Sequence, residues 1–104
     1  MRDEENKKQM LSRVGLAKKA GKLIAGADMV CDGLREGKIF TVITSADLSE
    51  NTAKRLSDRC RYYGVRLVVC QVSKEELGRA IGKSFAACVG ITDRNLSELI
   101  CCNL

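Results

Sequence analysis

Glycine is the only strong backbone breaker available to this chain, which contains no proline. Gly21, Gly26, Gly37, Gly64 and Gly82 cut the sequence into segments of two alternating kinds. Longer stretches repeat apolar residues at helical spacing, and shorter ones are β-branched or aliphatic runs. Such alternation predicts a layered α/β domain in which helices cover both faces of a small sheet.

The first periodic segment, residues 9–20, places Met10, Val14 and Ala17 on one helical face, with Lys18 and Lys19 near its C-terminal end. Gly21 stops it. Residues 22–25 read as a short strand. A helix over 27–36 follows, with Ala27, Val30, Cys31 and Leu34 inward, ended by Gly37. The run 39–44 is a buried strand by its β-branched content. Residues 45–48 form a loop, and Ser49 caps a helix to Tyr63. That helix turns Ala53, Leu56, Cys60 and Tyr63 to the core and Lys54, Arg55, Asp58, Arg59 and Arg61 to water. Residues 66–71 read as the next strand. Ser73 and Glu76 form a capping box for a helix that ends at Gly82. A loop over 83–86 leads to the last long strand, 87–92. Asp93 then caps a terminal helix containing Leu96, Leu99 and Ile100. There is no internal repeat, linker or low-complexity segment.

One domain is expected over residues 1–104, long enough for a single core. Its composition, 45% apolar and 30% charged, is globular and not that of a disordered chain. No apolar run approaches the roughly 18 residues of a membrane span. The N-terminal residues are charged throughout, so no signal peptide, no membrane partner and a cytoplasmic location are expected. The six cysteines lack any Cys-x-x-Cys pair, and there is no histidine. No metal site or cofactor is therefore expected. Cys31, Cys60, Cys70 and Cys88 fall at apolar positions and read as buried thiols. Of Cys101 and Cys102, at least one is expected to be exposed and open to oxidation. With no Gly-x-Gly-x-x-Gly or P-loop run and no base beside a cysteine, an enzyme is not expected.

The net charge of +5 favours a polyanionic partner. Residues 1–22 carry seven basic and three acidic side chains, and residues 54–83 carry eight and three. The stretch from Lys18 to Asp32 concentrates the signal. A basic helix end passes through Gly21 into a short strand, and Gly26 then opens a new helix. A helix N-terminus emerging from a rim of Lys18, Lys19 and Lys22 suits an anion, and a nucleic-acid backbone is the obvious large one. Asp28 and Asp32 place negative charge against that expectation.

The ordered set of elements, together with Ala17–Lys22, the helix start at Gly26, Ser49–Lys54, Cys60–Tyr63 and Leu77-Gly-Arg-Ala-Ile-Gly82, resembles the L-seven-Ae group of ribosomal proteins and its bacterial YlxQ-like branch. The resemblance covers about residues 9–101. It implies a three-layer α/β/α sandwich with a small mixed sheet that binds kink-turn RNA. This RNA is a sharply bent helix with tandem sheared G·A pairs beside a three-nucleotide bulge. The resemblance also implies that the second helix enters the groove at those pairs and that a loop before the last strand holds a flipped-out nucleotide. The positions carried over are Lys19, Lys22, Gly26, Ala27, Asp28, Met29 and Asp32, with Arg79, Lys83, Ser84, Phe85 and Ala86 at the loop. In the family, Thr-Asn-Glu-x-x-Lys often follows the helix-opening glycine. Here Ala27, Asp28 and Met29 replace the first three, and Asp32 replaces the lysine. An ionised aspartate accepts but cannot donate to guanine O6. A base-edge contact of that kind is worth roughly 1–3 kcal/mol.

Each candidate also has a structural explanation. Gly26 serves any turn. Lys18, Lys19 and Lys22 complement a helix end, and the basic side chains of 54–61 form a solvated face. Arg79 has nearby carbonyls to bond. Phe85 is either a core anchor or a platform for a base, and Asp28 and Asp32 favour a helix dipole. The expected function is non-catalytic recognition of structured RNA, including ribosomal RNA, by a monomer, with no DNA partner. The alternative is a protein-interaction module of the same fold that has lost kink-turn recognition.

Overall fold

The last strand of the chain lies inside its sheet. In the computed structural model, which describes residues 2–101 and side chains from residue 6, the elements run α1 (Arg2–Lys19), β1 (Leu23–Ala25), α2 (Ala27–Arg35), β2 (Thr41–Thr44), α3 (Glu50–Tyr63), β3 (Arg66–Val69), α4 (Lys74–Ala80), β4 (Cys88–Ile91) and α5 (Arg94–Cys101). The four strands are ordered β1-β4-β2-β3. β4 pairs antiparallel with both β1 and β2, while β3 joins β2 in parallel. The sheet is therefore mixed.

Alternation along the strands builds two cores. Leu23, Ile43, Val89 and Ile91 face one side, where they meet Met10, Val14 and Ala17 of α1, Leu77 of α4 and Ile100 of α5. Val42 and Cys88 face the other, against Val30, Cys31 and Leu34 of α2 and Leu56 and Cys60 of α3. This is the expected three-layer α/β/α sandwich. Leu34, Ile43, Leu56, Leu77, Ile91 and Ile100 are fully buried, and each contributes about 1.5–3 kcal/mol through burial. Thr41 and Ser97, both buried, hydrogen-bond to each other and tie β2 to α5.

The polar ends of the helices behave as their sequences predict. The Ser49 hydroxyl accepts from the Thr52 N–H at 3.3 Å. Ser73 and Glu76 form the reciprocal capping box. Asp93 accepts from the Leu96 N–H at 2.9 Å. The Glu76 carboxyl is held below its usual range by the Ser73 N–H and by Lys7, whose ammonium is 3.3 Å away.

Several boundaries differ from the sequence expectation. α1 starts at Arg2, not at residue 9, because residues 2–8 carry little apolar signal but are rich in good helix formers. β1 begins after Lys22, whose N–H instead closes the end of α1 on the Ala17 carbonyl. β2 begins at Thr41, since the Lys38 N–H is still completing the turn after α2 on the Gly33 carbonyl. Ala53 is exposed and Tyr63 is only partly covered, so the inward face of α3 is narrower than expected, and Leu99 of α5 is exposed.

Cys31, Cys60, Cys70 and Cys88 are buried, and Cys101 is partly exposed. Cys102 lies outside the described residues. Burial pushes the Cys60 thiol up to about 11 and the Cys88 thiol up to about 12. An unfolded thiol titrates near 9.0. Between these values the unfolded chain has released protons that the folded chain retains. The contribution of these thiols is thus complete below pH 9 and is lost as pH rises toward 11–12. Urea midpoints measured from pH 7.5 to 10.5 should fall for the wild type, and Cys88→Ala should fall less over the same interval.

Candidate nucleic-acid interface

β1, β2 and β3 end, and β4 begins, at one edge of the sheet, here termed its upper end. α2, α3 and α4 all start there. Gly26 links β1 to α2 with φ 99° and ψ 140°, a conformation in which a Cβ is strained. Its N–H donates to the Cys88 carbonyl at 3.1 Å, which fixes the start of α2 against the start of β4. Among the described residues, no side chain caps α2. α3, α4 and α5, by contrast, are capped by Ser49, Ser73 and Asp93. The first-turn N–H groups of α2, at Ala27, Asp28 and Met29, thus point out of the upper end with no side-chain acceptor.

The segment after α4 is folded back along that helix. The Lys83 N–H donates to the Gly78 carbonyl at 2.8 Å, and the Ala86 N–H donates to the Lys74 carbonyl at 2.8 Å. The loop then enters β4 beside Gly26. The structure therefore brings together Gly26, Ala27, Asp28 and Met29 with the loop of Lys83, Ser84, Phe85 and Ala86. Lys83, Ser84 and Phe85 are exposed, and Ala86 is buried. Phe85 is 64% exposed, so it is not a core anchor, and Met29 is 56% exposed.

Other candidates lie elsewhere. Lys22 sits at the opposite, lower end of β1, where its carbonyl accepts from the Thr92 N–H. Gly26 lies four positions further along, about 13 Å of extended chain. Lys19 ends α1 at the same lower end. The basic rim expected around the α2 N-terminus is thus not beside it, because β1 carries the chain across the sheet between them. Arg79 lines a shallow groove with Leu11, Ser12, Glu76 and Ala80 between α4 and α1.

The two aspartates of α2 are not bare. Asp28 pairs with Arg55 of α3 at 3.0 Å, and Asp32 pairs with Arg35 at 3.1 Å. The hydrogen bond that Arg55 donates to Asp28 raises the guanidinium above its ordinary value. Neither arginine was among the site residues read from the sequence. The Asp32–Arg35 pair has the i,i+3 spacing of a helix-surface pair and was legible. The Asp28–Arg55 pair joins two helices, and its only clue is that both start at the same end of the sheet. Among the described residues, no group of three or more Cys, Asp or Glu side chains could hold a metal ion, and no helix is long and apolar enough to cross a membrane.

Gly78 positions the loop. A Cβ at this residue would lie 2.5 Å from the Phe85 Cα and 2.6 Å from its carbonyl carbon. α4 and the loop backbone are therefore in direct contact. Gly78→Ala must push the loop away at a cost of about 1–3 kcal/mol. Thermal unfolding should show the loss, and amide exchange should rise at Lys83 and Ala86.

Three comparisons bear on this geometry. A profile of the ribosomal protein L7Ae/L30e/S12e/Gadd45 family matches residues 8–101. The RNA-binding protein YlxQ of Bacillus subtilis (strain 168) is 37% identical over 85 residues, 82% of this chain and 84% of that protein. The protein of the same name from Enterococcus faecium is 33% identical over 96 residues, 92% of this chain and 91% of its own length. Among solved structures, a Bacillus halodurans protein of unknown function superimposes with a TM-score of 0.85 at 33% identity, covering 89% of this chain and 93% of the other. The Giardia lamblia 15.5kD RNA binding protein does so with a TM-score of 0.81 at 25% identity, covering 92% and 82%. With the match extending over nearly every described element, the chain belongs to the ribosomal protein L7Ae/L30e/S12e/Gadd45 family.

Proposed function

We propose that this chain is a non-catalytic cytoplasmic protein that binds structured RNA of the kink-turn type at the upper end of its sheet, acting as a monomer in association with ribosomal RNA. The observation that carries this reading is the uncapped start of α2, anchored by the Gly26–Cys88 hydrogen bond beside the exposed Phe85 loop. Backbone N–H groups at a helix start suit phosphate and acceptor edges. An exposed aromatic on a fixed loop suits an unstacked base. The names of the two YlxQ relatives and of the Giardia protein support RNA as the ligand.

The ion pairs at Asp28 and Asp32 soften the conflict that the bare sequence presents. Each carboxylate faces a guanidinium, so an approaching phosphate meets a paired group and not a lone anion. Base-edge donation at position 32 is still missing.

The decisive experiment is a titration into a kink-turn RNA beside a control whose G·A pairs are replaced by Watson–Crick pairs. A clear preference for the kink-turn is expected, and equal weak binding to both RNAs would overturn this specificity. Asp32→Lys should tighten kink-turn binding about tenfold by restoring a donor, measured in the same titration. Unchanged or weaker binding would mean that position 32 does not face the RNA.

The exposed Met29 between two paired aspartates favours a second reading, a protein-docking surface on α2. Pull-down partners that persist after ribonuclease treatment would support it.

A further inference from the structure

The lower end of the sheet carries a second constellation, on the side opposite the start of α2. A cleft of about 500 Å³ opens there between α5 and the starts of β2 and β3, lined by Phe40, Thr41, Arg66, Arg94, Ser97, Glu98 and Cys101. Arg94 is the first residue of α5 and Arg66 the first of β3. Both are exposed. Among the described residues, neither guanidinium pairs with a carboxylate, whereas Arg35 and Arg55 at α2 both do. The Arg94 guanidinium carbon stands 5.4 Å from the Phe40 ring centroid, a cation–π arrangement. Phe40 remains 37% exposed. The hydroxyls of Thr41 and Ser97 bond to each other in the floor of the cleft, and Thr41 also contacts the Cys101 sulfur at 3.6 Å.

The strand order lines these groups up. Reading β1-β4-β2-β3 along the lower end gives Lys22, then Arg94 just beyond β4, then Phe40 just before β2, then Arg66. Strands about 4.8 Å apart spread this row over about 14 Å. A row of cations with an aromatic ring among them is what a single strand of nucleic acid requires. Phosphates take the cations, and a base takes the ring face. An acidic protein segment would use the cations but would have no need of Phe40.

We propose that this cleft is a second RNA site, in which Arg66 and Arg94 hold phosphates of a single-stranded segment and Phe40 stacks a base. The site is separate from the α2 surface and does not depend on it. Two RNA sites at opposite ends of one small domain would let this chain hold a folded RNA element and a neighbouring single strand together. Glu98 lies on the cleft wall with the wrong sign for this ligand, so its removal is informative.

The test uses a fluorescent, unstructured nine-nucleotide oligouridylate and the full chain, followed by anisotropy at several salt concentrations. Arg66→Ala/Arg94→Ala should weaken binding about tenfold or more and make the salt dependence shallower, by about 1.4 in log–log slope for two phosphates. Phe40→Leu should weaken binding about fivefold with the slope unchanged. Glu98→Gln, a surface change that leaves the fold intact, should tighten it. Saturating kink-turn RNA should leave oligouridylate binding in place, and this readout holds even for a chain with no kink-turn preference. Oligouridylate affinity unmoved by all three variants would overturn the proposal, as would tighter binding of an oligoglutamate peptide than of oligouridylate.

Discussion

Everything at the upper end of this molecule depends on β4 occupying the slot between β1 and β2. Among the described residues β1 has no other strand neighbour, and three residues cannot hold a position in a sheet unaided. β4 supplies the antiparallel partner, and its first carbonyl accepts the Gly26 N–H. The direction in which α2 leaves the sheet is therefore set by a residue more than sixty positions away in sequence. The same strand draws the preceding loop tight against α4, where the missing side chain of Gly78 makes room for the Phe85 backbone. One inserted strand thus fixes both halves of the proposed RNA surface.

Ion pairing separates the two ends of the sheet in character. At α2 the acids are matched by Arg35 and Arg55, and no strong field of either sign results. Such exposed pairs contribute little stability. Their importance is that they set what an incoming ligand meets. At the lower end, Arg66 and Arg94 have no carboxylate partner among the described residues, and one of them rests on an aromatic ring. Identical side-chain chemistry is spent internally in one place and left available in the other.

Much of the fold could be read from local signals. The caps at Ser49, Ser73 and Asp93 each act as their spacing predicts, and the inward faces of α1 and α2 are those marked by Met10, Val14, Val30 and Leu34. The glycine breaks separate the elements because no proline competes with them. What local signals do not carry is which strands become neighbours. Lys22 and Gly26 are close in sequence and looked like one site, but an extended strand places them at opposite ends. Asp28 and Arg55 are far apart in sequence and meet, because α2 and α3 leave the same end of the sheet. The row of Lys22, Arg94, Phe40 and Arg66 is likewise invisible until the strand order is known.

The parallel launch of α2, α3 and α4 has an electrostatic consequence at long range. Their dipoles direct partial positive charge upward, while Asp28, Glu50, Glu75 and Glu76 in their first turns offset it. At the other end, Lys18, Lys19 and Arg61 overlie the C-terminal ends of α1 and α3, and Arg66 and Arg94 add to them. Within a Debye length, about 30 Å at 0.01 M ionic strength, an approaching polyanion responds to this summed field before it makes any single contact. At low ionic strength the protein would be turned so that its lower end arrives first. Encounter and recognition would then be assigned to opposite poles, with salt governing the rate of the first far more than the selectivity of the second.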